Sequence, residues 1–147
     1  KNIIDNSEHI ALVKGVINSD DTILVRVHAL DLFSDVLGDS SSDRNGSELS
    51  IAMNKIAENK NGIIILIRDL SPLSLSKKIT KAIDVGSTKP KNIREYGVGA
   101  QILSDLGVKK MTILSNKKAS AIALGGFGLT IKSWEKINWL FLNKKFF

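Results

Sequence analysis

The sequence predicts a single α/β domain in which a mixed β-sheet is flanked by helices. Residues 63–67 are five consecutive aliphatic residues, which is typical of a strand that is covered on both faces. Residues 94–108 place apolar side chains over more than half of a helix circumference, and a strand pattern follows at residues 111–115. Alternating strands and helices in 147 residues indicate one α/β domain with one core, over residues 1–147.

Composition limits the classes of function that this chain can have. The formal net charge is +6, which indicates either anionic partners such as nucleotides and phosphates or a solvated lysine-rich surface. We favour the surface, and we expect no nucleic-acid partner, because the lysines are dispersed without interleaved aromatic residues. No apolar run is long enough for a membrane span, so we expect no membrane partner and a cytoplasmic location. The absence of cysteine excludes disulfides and thiolate metal sites. The first residue, Lys1, is not Met, so we interpret the sequence as a fragment or a processed chain.

The first half of the chain contains two predicted strands and one predicted helix. Residues 1–8 are polar, and we expect them to be frayed. Residues 10–17 and 22–27 are apolar runs separated by a polar turn cluster, which predicts a β-hairpin. Residues 47–59 carry an apolar stripe at helical spacing, which predicts an amphipathic helix.

The second half alternates helices and strands around residues 94–108. Residues 77–85 and 119–124 are predicted short helices, and residues 127–131 are the predicted last strand. The aromatic tail, residues 133–147, is expected to pack on the domain or on a partner, with a membrane surface as the alternative.

Three glycines give the predicted helix 94–108 its special features. Gly107 follows the last apolar turn, where a left-handed residue ends many helices. Gly97 and Gly99 each cost about 1 kcal/mol relative to alanine inside a helix. They therefore indicate either close helix packing or the close approach of backbone or ligand.

Residues 94–108 read Arg-Glu-Tyr-Gly-Val-Gly-Ala-Gln-Ile-Leu-Ser-Asp-Leu-Gly-Val. This stretch resembles the Arg-x-Tyr-Gly-x-Gly-Ala-Gln-Ile-Leu-x-Asp-Leu-Gly-Val segment of the GTP cyclohydrolase II family, which makes the first committed intermediate of riboflavin synthesis. The resemblance spans about residues 8–132. It implies the family's fold, a homodimer, and zinc-assisted opening of the imidazole ring of GTP with release of formate and pyrophosphate.

The zinc motif of the family is altered in this chain. Residues 25–49 resemble Val-Arg-Val-His-Ser-Glu-Cys-Leu-Thr-Gly-Asp-x-Phe-Gly-Ser-x-Arg-Cys-Asp-Cys-Gly-x-Gln-Leu, and Arg26 and His28 are retained. Carboxylates on a loop favour a hard cation weakly, so we predict that the family's zinc is lost and that no cofactor is bound. The simpler interpretation of the aspartates is a solvated loop. The three cysteine positions fall on Asp31 and then on Asp43 and Asn45, or on Ser42 and Arg44 if the gap lies later.

Other catalytic positions of the family are changed as well. Arg68 is retained, but the glycine-rich loop that meets the nucleotide has become Leu-Ser-Pro, which removes backbone N–H groups that could approach phosphate. Arg94 matches the family's proposed nucleophile, whereas Asn92 replaces its carboxylate base, and an amide cannot accept a proton at neutral pH. Ser115 and Asn116 keep a hydroxyl and an amide of a further motif, whose lysine is replaced by alanine.

Three hypotheses follow. The first is a catalytically inactive GTP cyclohydrolase II-like domain that dimerises, stabilises or regulates an upstream 3,4-dihydroxy-2-butanone 4-phosphate synthase domain. The second is an active cyclohydrolase with a rebuilt metal site, and the third is a GTP or phosphate binder without turnover. The rebuilt site would use His28, Asp31, Asp35 and Asp43, and the candidate nucleotide-binding residues are Arg26, His28, Arg68, Ser115 and Asn116, with Arg94 also available to a phosphate. The simpler interpretation of His28 is a hydrogen-bonded strand residue.

Overall fold

The structure, a computed structural model, describes residues 1, 6–37, 48–69, 73–83, 93–116 and 127–137. These residues form an α/β domain with a five-stranded mixed sheet flanked by helices, as predicted. The predicted helix 119–124 and residues 138–147 of the tail lie outside the described residues. The elements are β1 (Ile10–Lys14), β2 (Thr22–Ala29), a single π-helical turn (Leu32–Val36), α1 (Glu48–Glu58), β3 (Gly62–Ile67), α2 (Ser74–Ile83), α3 (Ile93–Asp105), β4 (Lys110–Leu114) and β5 (Thr130–Glu135).

The strands are arranged in the order β1-β3-β2-β4-β5. Strands β2, β3, β4 and β5 are parallel, and β1 is antiparallel to β3. The predicted hairpin of β1 and β2 is therefore wrong, because β3 lies between these two strands. All six residues of β3 are buried, so the most apolar strand takes a position where both of its edges are paired and both faces are covered.

The sheet separates two apolar cores. Along β2 the side chains alternate between the two faces. Ile23 and Val25 pack on the side of α3, whereas Leu24 packs on the side of α1. Arg26 and His28 follow the alternation of Leu24, so the two polar side chains point towards the α1 layer near the end of the strand.

Helix α3 ends as the sequence predicts. Gly107 has a φ of 81°, and its N–H donates to the carbonyl oxygen of Ser104 at 2.9 Å. The N–H of Val108 donates to the carbonyl oxygen of Leu103 at 3.1 Å, and both side chains are buried in the same core. This pair of hydrogen bonds is the Schellman ending that a glycine in the left-handed region allows.

Close packing explains Gly99 of α3. A Cβ atom on Gly99 would lie 3.0 Å from Cγ1 of Val27, whereas one on Gly97 would lie 3.9 Å from Cζ of Phe127, an ordinary contact. The absence of a side chain at Gly99 therefore lets α3 approach β2. Of the two alternatives raised by the sequence, helix packing accounts for this position.

The last strand is longer than the sequence predicts. It extends to Glu135 instead of ending near residue 131, so the first residues of the predicted tail belong to the sheet. The indole N–H of Trp134 donates to the carbonyl oxygen of Ser115 at 2.7 Å. The N–H of Ser115 donates to the carbonyl oxygen of Glu135 at 2.9 Å. These two hydrogen bonds connect the carboxyl ends of β4 and β5. Within the described ranges, no helix has the length and apolarity to cross a membrane.

Candidate functional site

Buried polar side chains gather where the parallel strands of the sheet end. Arg26 and His28 of β2 are 7% and 8% exposed, and Ser115 follows β4. The carboxyl ends of neighbouring parallel strands share one edge, where α/β proteins commonly bind ligands. The sequence-predicted residues Arg26, His28, Ser115 and Asn116 are all at this edge.

Arg26 is held by three neighbours. Its Nη1 donates to the carbonyl oxygen of Leu114 at 3.2 Å. Its Nη2 donates to Oε2 of Glu48 at 2.7 Å and to Nδ1 of His28 at 3.2 Å. The Nε atom is buried and has no partner among the described residues. The guanidinium is thus fixed in place, and its Nε–H is a buried donor without an acceptor among the described residues.

His28 is a neutral link between Arg26 and Asp35. A guanidinium only donates hydrogen bonds, so Nδ1 of His28 accepts, and its Nε2–H donates to Oδ2 of Asp35 at 2.8 Å. Burial lowers the pKa of His28, and the nearby Arg26 charge acts in the same direction, while the bond to Asp35 opposes both. With both ring nitrogens engaged, His28 is a hydrogen-bonded strand residue, in line with its simpler interpretation.

The π-helical turn after β2 is organised by two aspartates. Oδ1 of Asp31 accepts from the backbone N–H groups of Phe33 and Ser34, at 3.0 and 3.5 Å. Oδ2 of Asp35 accepts from the N–H of Asp31 at 2.8 Å, in addition to the bond from His28. The side chain of Asp35 is only 3% exposed. The expectation that these aspartates form a solvated loop is therefore wrong for Asp35, because its carboxylate is needed inside the turn.

These donors do not fit the family's zinc. Structural zinc favours thiolate and imidazole ligands in a tetrahedral arrangement, and this chain has no cysteine. In the parts of the chain that the structure describes, no three His, Asp or Glu side chains are grouped so that they could hold a metal ion. Asp43 and the alternative positions 42, 44 and 45 lie outside those parts, so the loss of zinc stays a prediction.

Glu48, which was not singled out from the sequence, connects the site to a second loop. Its Oε1 accepts from Nδ2 of Asn116 at 3.2 Å while its Oε2 accepts from Arg26. Oδ1 of Asn116 accepts from the N–H of Ile137 at 3.0 Å. A buried arginine requires a carboxylate partner, which is the signal that could have indicated Glu48.

The remaining predicted residues either lie apart from this network or belong to the part of the chain that the structure does not describe. Arg68 is exposed at the end of β3, and its N–H donates to Nδ1 of His9 at 3.2 Å. His9 in turn lies 3.0 Å from Oγ of the buried Ser7, which fastens the start of the chain to β3. Arg94 lies in the first turn of α3, but its side chain, like the whole of Asn92, is outside the described residues.

Comparison with known proteins places the chain in a family. A model of the GTP cyclohydrolase II family matches residues 1–136. The monofunctional riboflavin biosynthesis protein RIBA 2, chloroplastic, of Arabidopsis thaliana is 41% identical over 89% of this chain and 28% of its own length. The bifunctional protein RIBA 1, chloroplastic, of the same plant is 35% identical over 89% of this chain and 26% of its own length. The riboflavin biosynthesis protein RibBA of Bacillus cytotoxicus is 34% identical over 88% of this chain and 36% of its own length.

The chain therefore spans about a quarter to a third of the length of these relatives. The matched residues include all five strands of the sheet, and they include the network around Arg26 and His28. The sequence resemblance and the mixed α/β fold are both confirmed. The chain belongs to the GTP cyclohydrolase II family.

Proposed function

We propose that this chain is a GTP cyclohydrolase II-like domain of riboflavin biosynthesis that does not open GTP. One observation carries this proposal: the carboxylates of Asp31 and Asp35 accept backbone hydrogen bonds that organise the π-helical turn. Asp31 stands at the position of the first zinc cysteine, and its Oδ1 is engaged by two backbone N–H groups. A metal ion at Asp31 would compete with these bonds for the same carboxylate.

The proton chemistry points in the same direction. Ring opening of GTP by a zinc-bound water requires a metal-activated nucleophile and a base to move protons. Asn92 offers an amide at the base position, and an amide is not basic at neutral pH. His28 does not replace the base, because Arg26 and Asp35 engage both ring nitrogens.

We further propose that the domain dimerises, and that it stabilises or regulates a 3,4-dihydroxy-2-butanone 4-phosphate synthase domain. The bifunctional protein RIBA 1 of Arabidopsis thaliana is between about three and four times as long as this chain, which leaves room for a second domain. A relative at 41% identity is named monofunctional, so related chains with a single function exist. A cytoplasmic location stays a prediction, since two of the three relatives described above are named chloroplastic.

The test is formate release from GTP by the purified chain with added Zn²⁺. We expect no turnover above the background without enzyme, while a bifunctional relative assayed in parallel provides the positive control. The Asn92→Asp variant is a matched control, because it returns a carboxylate at the base position without a zinc ligand, and it should also be inactive. Formate release by the unmodified chain at ordinary enzyme rates would refute the proposal.

A second candidate function is an active cyclohydrolase with a rebuilt metal site. One observation favours it: the imidazole of His28 and the carboxylate of Asp35 lie side by side, with 2.8 Å between Nε2 and Oδ2. Elemental analysis of the purified chain distinguishes the two candidates. A stoichiometric divalent ion that is lost in the Asp35→Asn variant would support the rebuilt site, and a metal-free chain would exclude it.

A further inference from the structure

Glu48 brings a carboxylate into the candidate site at a position where the family's sequence pattern does not predict one. It is the first residue of α1, and it stands where the motif quoted above has Gln before Leu. Its two carboxylate oxygens are divided between Arg26 and Asn116, at 2.7 and 3.2 Å. A charged side chain thus occupies a position where the family pattern carries a neutral amide.

The charge at this position matters because Arg26 is buried. Its side chain is 9% exposed, and arginine stays protonated at all physiological pH values. His28 cannot balance the charge of Arg26, because an imidazole is either neutral or cationic. Among the described residues, Glu48 is the carboxylate in direct contact with the guanidinium. An anion that approached Arg26 would therefore meet the like charge of Glu48 at a distance of a few ångströms.

We propose that Glu48 is a specificity-determining residue that fills the place of a ligand phosphate at Arg26 and excludes anions from this part of the site. This inference deepens the proposed function and rests on it, since it gives a physical reason why a phosphate-bearing substrate is not held. A glutamine at the same position has no charge and one acceptor oxygen, so it could keep the hydrogen bond from Arg26 but not the one from Asn116 as well.

The ion pair between Glu48 and Arg26 is accessible to solvent, so another anion could take the place of the carboxylate. The side chain of Glu48 is 44% exposed, and Asn116 lies at the surface beside it. Removal of the carboxylate would uncover Nη2 of Arg26 from the solvent side. The buried Nε of Arg26 has no partner among the described residues, so a second donor of this guanidinium would be stabilised by an acceptor.

Inorganic phosphate is the probe, and its binding is measured by calorimetry and by thermal shift at constant ionic strength with chloride as the reference anion. In Glu48→Gln and Glu48→Ala, phosphate should bind at least about tenfold more tightly than in the unmodified chain, because the like charge is gone. Glu58→Gln changes an exposed carboxylate at the other end of the same helix. It is the matched control for net charge and should leave phosphate binding unchanged.

Equal phosphate affinity in the unmodified chain and in Glu48→Gln would overturn the inference. Retention of the gained affinity in the double variant Arg26→Gln with Glu48→Gln would also overturn it, because the anion would then not lie on Arg26. If Glu48→Ala does not fold, Glu48→Gln carries the test, since the amide has nearly the same shape and its oxygen can still accept the hydrogen bond from Arg26. The formate assay is independent: turnover by the unmodified chain would refute the proposed function, whereas these affinities would still decide the role of Glu48.

Discussion

Asp35 is the residue whose replacement tests the interpretation of the site most directly. Its Oδ2 accepts hydrogen bonds from Nε2 of His28 and from the backbone N–H of Asp31, both at 2.8 Å, and its side chain is 3% exposed. Replacement by alanine removes the oxygen that accepts both hydrogen bonds and leaves two donors unpaired in a site with little access to water. Hydrogen bonds to a charged group contribute about 1.5–3 kcal/mol each. Asp35→Ala should therefore lower the free energy of unfolding by about 3–6 kcal/mol.

Asp35→Asn separates the loss of charge from the loss of the acceptor. Both bonds end on the same oxygen of Asp35, so the single amide oxygen of asparagine has enough lone pairs to accept both. Only the charge assistance is lost, and the expected cost is about 1–2 kcal/mol. The alanine variant should thus be markedly less stable than the asparagine variant.

Urea unfolding followed by tryptophan fluorescence measures these costs, provided that the slope against urea concentration is the same in all variants. The exposed Asp20 supplies the control, because Asp20→Ala should change stability by no more than about 0.5 kcal/mol. If Asp35→Ala were within about 1 kcal/mol of the unmodified chain, the bonds seen at Asp35 would not be stabilising the turn. Equal costs for alanine and asparagine would show that the shared acceptor oxygen is not what matters.

Two further predictions use the same unfolding assay. Burial lowers the pKa of His28 below its usual value of 6.5, so below that pH the unfolded chain binds a proton that the folded chain resists. The free energy of unfolding should therefore decrease between about pH 7 and pH 5.5, and His28→Gln should reduce this slope; an unchanged slope would contradict the assignment. A Cβ atom on Gly15 (φ 74°) would lie 2.6 Å from the carbonyl oxygen of Lys60, whereas Gly107 (φ 81°) has no described atom within 4 Å. Gly107→Ala should cost about 1–2 kcal/mol for its backbone conformation, and Gly15→Ala about 1–3 kcal/mol more for the clash; equal costs would contradict the close approach.

The local elements could be predicted from the sequence because periodicity and helix-ending residues are local signals. The predicted helix over residues 47–59 is observed as Glu48–Glu58, and the glycine ending of α3 is where it was expected. Strand pairing could not be predicted in the same way. The short polar segment after β1 is compatible with a hairpin, but the all-aliphatic strand Gly62–Ile67 gains more burial by lying between β1 and β2. That competition involves residues distant in sequence.

In the candidate site, too, the local features could be predicted from the sequence and the contacts between distant residues could not. Alternation along β2 was sufficient to place Arg26 and His28 on one face, and the structure joins them directly. Glu48 was missed because a carboxylate in the first turn of a helix is favourable without any further partner. The burial of Asp35 was missed because an acidic, serine-rich segment has the composition of a solvated loop. In both cases the deciding partner is a side chain from another element.

The turn after β2 explains how the fold can persist when the zinc positions change. A loop that is shaped by a metal would lose its organisation if its thiolates were replaced by groups that bind the metal weakly. Here Asp31 caps the turn through backbone N–H groups, and Asp35 ties the turn to His28 of the sheet. Hydrogen bonds within the protein can therefore hold this segment in place without an ion. Both Nη atoms of Arg26 likewise have partners within the protein, so most of the polar groups at the end of β2 are held without a ligand. Such independence is what a domain that is retained for its fold would require.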